Sequence, residues 1–506
     1  MDVSRTRRSR LNVVVALGTY LLQLLLSMVL RVFFIKYLGT EYLGLNGVIV
    51  STLSMMSLVD LGLDGVFIYF LYTPLAERNL DKARAILSLY RNIFRIIAIV
   101  IFVIGSGVYF FLPSIVGQTG MQLPGANLMY WLYLLNSIVS YLLTYNRSVL
   151  NANQEGYLVN GVTSGFLILV NVVQIVSLIL GSGVVTYVGI QVIGTIFANI
   201  MITWIAKRKY PELSIGDAPS LSHEDIISIV KNSVGGFSSK IGSLVVNASD
   251  NILLSMFTNL VTVGMYSNYL VLTSAVTSIF QKISTSLTPS VGNLGAEGDV
   301  SRNRSVFSEL SVTVYSVATI GILIFTILLP SFIKIWVGQH NLFSAGTTAL
   351  ISLNLLLQML RVPFWVYIDA FGLQWVQRWK SVFEALVNIL ATLLFLVVFK
   401  MGVNGVLVGT VISTITTVMW IEPLVVYSYP LDKNFSGGLR IVLKYWAFSL
   451  IAWASGSFIG NWMLEKPIGM ILGVAFAASV LFIGLTYVIF HKHTEFKSAV
   501  ARFVKL

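Results

Sequence analysis

The chain has 506 residues, of which 56% are hydrophobic and only 11% charged, and its mean hydropathy is +0.84. These values exclude an ordinary soluble domain and select an integral membrane protein. The absence of Cys excludes a disulfide framework and thiolate metal sites. The four His are scattered, so no metal or cofactor is expected, and the net charge of +12 is assigned to membrane topology and inner-leaflet lipids, not to nucleic acid.

The basic opening MDVSRTRRSR and the apolar run behind it have the outline of a signal peptide. The apolar run is too long and lacks a small-residue cleavage site, so it reads as a retained first helix. Apolar runs then recur along the chain, without the alternating pattern of an outer-membrane barrel. They predict spans at 11–36, 43–72, 90–116, 125–149, 157–181, 184–206 and 233–257. A second set follows at 260–284, 309–335, 345–372, 379–399, 403–428, 441–463 and 467–490. The expected fold is all-α: a polytopic membrane protein of about 14 transmembrane helices. With both termini cytoplasmic, nearly all Lys and Arg outside the spans fall on the inner side. The outer side receives Lys36, Lys334, Lys400 and Lys466, the asymmetry expected of a chain in the cytoplasmic membrane.

The first helix carries Thr19, Gln23, Ser27 and Arg31 at intervals of four, hence on one face, and such a polar line should turn away from lipid. A shift of 220 lays these four residues on Ser239, Ser243, Asn247 and Asn251, and Gly44 on Gly264. FLPS (111–114) and LLPS (328–331) match at nearly the same shift. The repeat predicts two pseudo-symmetric six-helix lobes, 1–215 and 216–432, followed by a C-terminal helix pair with its tail, 433–506. A cleft between such lobes is where a carrier places its substrate.

Charges inside predicted spans are candidate pathway residues. Arg31, Lys240 and Arg361 are assigned to substrate binding together with Gln23, Asn247 and Asn251. Asp60, Asp64 and Asp250 are assigned to ion coupling or charge pairing. Each has a bland alternative. Arg31 and Lys240 lie close enough to helix ends to snorkel, the Asp60 and Asp64 pair can simply orient Arg31, and Arg361 can bridge to nearby Asp369. Asp369, Glu384, Lys334 and Arg95 read as interfacial, and Trp131, Trp336, Trp365, Trp375 and Trp462 as belt anchors. No P-loop, HExxH or GxSxG in a strand–turn–helix setting is present, so ATP hydrolysis and catalysis are not expected.

The segments YLGTEYLGLNG (37–47), SLVDLGLDG (57–65), YTPLAERN (72–79), TYNRSVLNANQEGYLVN (144–160) and SSKIGSLVVNASDNILLSMFTNLVTVGMYSNY (238–269) carry a family resemblance. Over about the first 430 residues the chain resembles the Gram-positive branch of Wzx-type oligosaccharide-lipid flippases. These are polysaccharide-transport proteins of the multidrug/oligosaccharidyl-lipid/polysaccharide exporter superfamily. The resemblance implies alternating access of two lobes around a cationic cavity. It implies movement of a polyprenyl diphosphate-linked oligosaccharide to the outer leaflet, for capsule or exopolysaccharide assembly. Implied partners are that glycolipid, membrane lipids, a polysaccharide polymerase and glycosyltransferases, with no nucleic acid. A diphosphate needs charge-assisted donors, which Arg31, Lys240 and Arg361 supply. Two other carriers stay open, a cation-coupled drug antiporter of the superfamily and a lipid-linked peptidoglycan-precursor flippase. A membrane polymerase or ligase is disfavoured by the short outer loops.

Overall fold

The computed structural model describes residues 3–56, 63–142, 145–153, 155–213, 219, 221–227, 229, 248–296, 298–431, 435–491 and 496. Every regular element among them is a helix, as an apolar solvent requires: only a helix satisfies each backbone N–H and C=O within its own segment. The chain divides into two compact units, Met1–Gly264 and Met265–Leu506.

The first unit contains α1 (Val3–Leu38), α2 (Thr40–Met56), α3 (Leu63–Ala76), α4 (Leu80–Tyr109), α5 (Leu112–Met121), α6 (Ala126–Leu142), α7 (Tyr145–Ala152), α8 (Gly156–Ile179) and α9 (Val184–Lys209). It ends with the helical stretch 248–257 and the first residues of α10 (Leu260–Ala296). Polar caps mark where helices begin. Asn79 accepts from the Lys82 amide at 3.0 Å and, with Asp81 in the first turn, favours the positive end of α4. Within the unit α1 lies along α8, α8 along α9, and α6 against both α4 and α9. The axes of α6 and α7 differ by 46°. At one crossing a Cβ on Gly44 would meet the Leu260 carbonyl oxygen at 1.8 Å, and one on Gly264 would meet the Thr40 carbonyl oxygen at 2.3 Å. The two glycines paired by the sequence shift therefore sit at the same helix contact, where only hydrogen fits.

The second unit takes up the rest of α10 and contains α11 (Val300–Val337), α12 (Ala345–Met359), α13 (Val362–Ala370), α14 (Lys380–Leu393), α15 (Val403–Ser413), α16 (Met419–Ser428), α17 (Phe435–Trp462) and α18 (Ile468–Phe490). Side chains of Asp299 and Ser344 cap α11 and α12 by accepting from the Arg302 and Thr347 amides. Single π-turns follow α14 at Leu394–Val398 and α15 at Thr414–Val418. The core gathers Phe307, Tyr315, Phe364, Tyr367, Tyr445 and Phe490, with the last two rings stacked at 3.8 Å. The C-terminal helix pair belongs to this core, because α17 and α18 both pack on α11. Gly456 and Gly460, one helical turn apart on α17, permit that approach. A Cβ at Gly456 would lie 2.0 Å from Thr326 Oγ1, and one at Gly460 2.4 Å from the Thr326 carbonyl oxygen.

Among the described residues 11 helices are long and apolar enough to cross a membrane, or 12 when α6 and α7 count as one bent span. These correspond to all the expected spans except the second and the seventh. The second is described as α2 and α3 on either side of 57–62, and most of the seventh falls in 230–247, outside the described residues. The expected span 345–372 is two helices, broken just ahead of Pro363, whose ring cannot continue the hydrogen-bond ladder.

Two consequences are measurable. Gly456→Leu forces a branched side chain into the α11 backbone, so it should cost about 1–3 kcal/mol and lower the unfolding temperature in detergent, while Gly473→Leu, where a Cβ meets open space, should not. In the first unit the segment 221–227 is tethered by Lys82 Nζ to Asp225 Oδ1 at 2.9 Å, and the hydrogen bonds from Lys82 and Ser222 hold the Asp225 carboxyl below its ordinary 3.8. A depressed carboxylate contributes above its unfolded pKa and loses that contribution as pH falls through the folded value. Hydrogen exchange of 221–227 should therefore lose protection only below the ordinary carboxylate range, and Lys82→Gln should remove it at neutral pH; equal protection in both proteins would disprove the tether.

Candidate functional site

In the first unit the predicted polar face of α1 meets polar groups of α8 and α9. Gln23 donates through Nε2 to Ser164 Oγ at 2.8 Å, joining α1 to α8. Ser27 bonds within its own helix, donating to the Leu24 carbonyl at 2.8 Å. Two turns beyond Gln23, Arg31 interacts electrostatically with Tyr187 of α9. Its neighbour one turn on, Phe34, meets the same Tyr187 ring edge-on at 4.9 Å. Tyr187 is fixed in turn because buried Gln174 of α8 donates to its carbonyl at 2.9 Å. Arg31 thus shares the polar face of α1 with Gln23 and lies within electrostatic reach of Tyr187, among groups that can meet an anionic, hydroxyl-rich ligand.

Elsewhere in this unit Asn251 donates through Nδ2 to Ser51 Oγ at 2.9 Å, and Ser255 donates to the Ile115 carbonyl at 2.8 Å. The stretch 248–257 is thereby tied to α2 and α5. Adjacent to Asn251, the Asp250 Oδ1 atom is buried and has no hydrogen-bond partner among the described residues. A carboxylate oxygen in that position is costly when ionised. Asp60, Lys240 and Asn247 lie outside the described residues, as does the side chain of Asp64.

The second unit holds a cluster that the sequence reading assembled only in part. Arg361 stands at the break between α12 and α13, and its partner is Glu422 of α16, not Asp369. Nε donates to Oε2 at 3.0 Å and Nη2 to Oε1 at 2.7 Å. Lys380, at the first turn of α14, donates to the same Oε1 at 2.7 Å, and Trp365 Nε1 approaches it at 3.3 Å. The Arg361 guanidinium also lies 5.1 Å over the Trp365 ring. Glu384 is 3.8 Å from Arg361 Nη1 and only 12% exposed, so it belongs to this cluster. Trp365, expected as a belt anchor, is likewise a ligand of Glu422. Asp369 instead accepts from Gln374. The local bridge was favoured by sequence proximity, but the Arg361 guanidinium meets Glu422 of the neighbouring α16.

Glu422 was missed although it lies in a predicted span. The signal was available, because an acid beside Trp420 and Pro423 in an apolar run demands a partner. Lys380 gave no such signal, since at the start of a span it reads as one more basic residue of the charge-rich side. Ser164 and Tyr187 gave none either: a lone Ser or Tyr in an apolar helix is ordinary.

Long apolar helices in two compact units define a polytopic membrane protein. A family model for polysaccharide biosynthesis proteins matches residues 9–294, more than half of the chain, and the chain belongs to that family. No curated protein matches the chain significantly. Among solved structures the chain is similar to a lipid II flippase MurJ in an inward closed conformation. The TM-score is 0.65 at 14% identity, over 94% of this chain and 99% of that one. It is also similar to an inward-facing multidrug resistance MATE family transporter, with a TM-score of 0.62 at 13% identity over 84% of this chain and 96% of that one. An outward-facing MATE transporter gives 0.55 at 14% identity, over 88% and 97%. At these identities the likeness is one of fold.

Proposed function

We propose that this protein is a flippase that carries polyprenyl diphosphate-linked oligosaccharide repeat units from the inner to the outer leaflet of the cytoplasmic membrane, for capsule or exopolysaccharide assembly. The observation that carries this reading is the polysaccharide-biosynthesis family match over residues 9–294 on a fold shared with a lipid II flippase. Transport proceeds by alternating access of two lobes, both termini are cytoplasmic, and the protein is a carrier and not an enzyme. Glycosyltransferases stand upstream of it and a polysaccharide polymerase downstream. The substrate presents a diphosphate, many hydroxyls and a long apolar tail. Arg31 on the polar face of α1, with Gln23 on the same face, supplies donors for the first two. Lys240, Asn247 and Asn251 are assigned to the same substrate, and Arg361 joins them through the cluster around Glu422.

Arg31→Gln should abolish flipping of a lipid-linked diphosphate oligosaccharide in proteoliposomes, with membrane abundance unchanged. Arg31→Lys should retain part of the activity, since a point charge replaces a bidentate fork. A wild type that extrudes cationic drugs and leaves the glycolipid in place would make it an antiporter instead.

Coupling is assigned to Asp60 and Asp64. Two acids one helical turn apart repel when both are ionised, which raises one proton affinity in a dry site. An imposed pH gradient at zero potential should then drive flipping by the wild type but not by Asp60→Asn or Asp64→Asn. Indifference of the wild type to both pH and Na⁺ gradients would reduce the pair to scaffold.

A further inference from the structure

Three donors from two separate stretches of the second unit converge on one carboxylate. The Arg361 fork, the Lys380 ammonium and the Trp365 indole N–H all point at Glu422, which has no solvent exposure. Their own side chains do reach the surface of the protein, Arg361 by 12% and Lys380 by 10%. Carboxylate and phosphate present the same oxygen spacing to a guanidinium fork, so a set of donors that seats one seats the other. The set is not exhausted by Glu422. Arg361 has five N–H groups and Lys380 three; the bonds to Glu422 use two and one of them, and Arg361 Nη1 also faces the Glu384 carboxylate at 3.8 Å, a second anion that the set holds nearby.

Two features point to exchange and not to permanent bracing. Arg361 sits at the break between α12 and α13, and Glu422 lies at the first turn of α16, directly after the π-turn Thr414–Val418. Short interruptions and π-turns inside helices are where hinges and functional sites recur. The depth is also appropriate. The chain just before α14 carries Trp375 and Trp379, 68% and 62% exposed, with Arg378 over the Trp375 ring at 4.5 Å, the pattern of a membrane–water boundary. The phosphates of a lipid-linked substrate lie at that same level.

We propose that Arg361, Lys380 and Trp365 form a phosphate seat at the membrane interface, occupied here by the Glu422 carboxylate, which a diphosphate-bearing lipid displaces when it loads. The seat rests on the reading of the protein as a carrier of a lipid diphosphate. It makes Glu422 an internal competitor and Lys380 a ligand of the substrate.

The test is equilibrium binding to the purified full-length protein, using farnesyl diphosphate, inorganic diphosphate and phosphatidylglycerol as probes. Farnesyl diphosphate should bind the wild type, Glu422→Gln should bind it about tenfold more tightly, and Lys380→Gln about tenfold more weakly, the size of one charge-assisted hydrogen bond. Glu422→Gln that folds and binds no better than wild type overturns the seat. If that variant does not fold, Lys380→Gln decides, because it leaves the Arg361 fork on Glu422; unchanged affinity there overturns the seat equally. Binding of phosphatidylglycerol as tight as that of farnesyl diphosphate makes this a general headgroup site and overturns the substrate assignment. Inorganic diphosphate should compete, and failure to do so removes the phosphate from the interaction. A wild type that flips the glycolipid while both variants bind and flip like it loses only the seat; one that neither binds nor flips loses the functional reading as well.

Discussion

A carboxylate with no solvent exposure inside an apolar bundle has to be neutralised by its neighbours, and Glu422 sets the arrangement of the helices around it. Arg361, Lys380 and Trp365 reach it from the α12–α13 break and from the start of α14, so one acid ties together four helices of the second unit. Burying these charges costs several kcal/mol per ion before any return. Well-packed apolar residues would hold the same helices at less cost. The retention of two cations around one buried acid therefore argues for a use beyond bracing, and a seat for a phosphate is a use that needs this donor set.

The first unit solves the same solvation problem with neutral groups. Gln23 and Ser164 join α1 to α8, Gln174 fixes Tyr187, and the Tyr187 phenol stands beside Arg31. Packing elsewhere is left to shape, because lipid tails are as apolar as leucine and give helices no hydrophobic reason to associate. Close approach at small residues takes over that role. Gly44 with Leu260 in the first unit, and Gly456 and Gly460 with Thr326 in the second, bring backbones to distances that any side chain would prevent.

Most of the fold was legible in the sequence because the bilayer enforces one rule along the whole chain. A run of about twenty apolar residues must be a helix, and eleven or twelve of the expected spans are found among the described residues. The break at Arg361 was legible from Pro363, and the glycine contact from the shift that pairs Gly44 with Gly264. The partners of individual side chains were not. Gln23 and Ser164 are 141 positions apart, and Arg361 and Glu422 are 61 apart. No periodicity relates such residues, since the relation is made by helix packing. Sequence proximity pointed instead to Asp369, which lies about two turns along from Arg361 but accepts from Gln374.

The positions of the irregular backbone connect these observations to transport. In a membrane, non-helical or distorted backbone is tolerated only where protein or water satisfies the freed groups, so each departure from regular helix has to be compensated locally. In the second unit the break before Pro363 and the π-turn at Thr414–Val418 both occur next to members of the Glu422 cluster. A brace between rigid helices would work best on uninterrupted helices, where the positions of both partners are fixed. The Arg361–Glu422 pair instead has an irregularity beside each end, as the proposed exchange with a phosphate requires. On the proposed phosphate seat, the charges and the irregularities serve one purpose, a contact that is tight when empty of substrate and exchangeable when it loads.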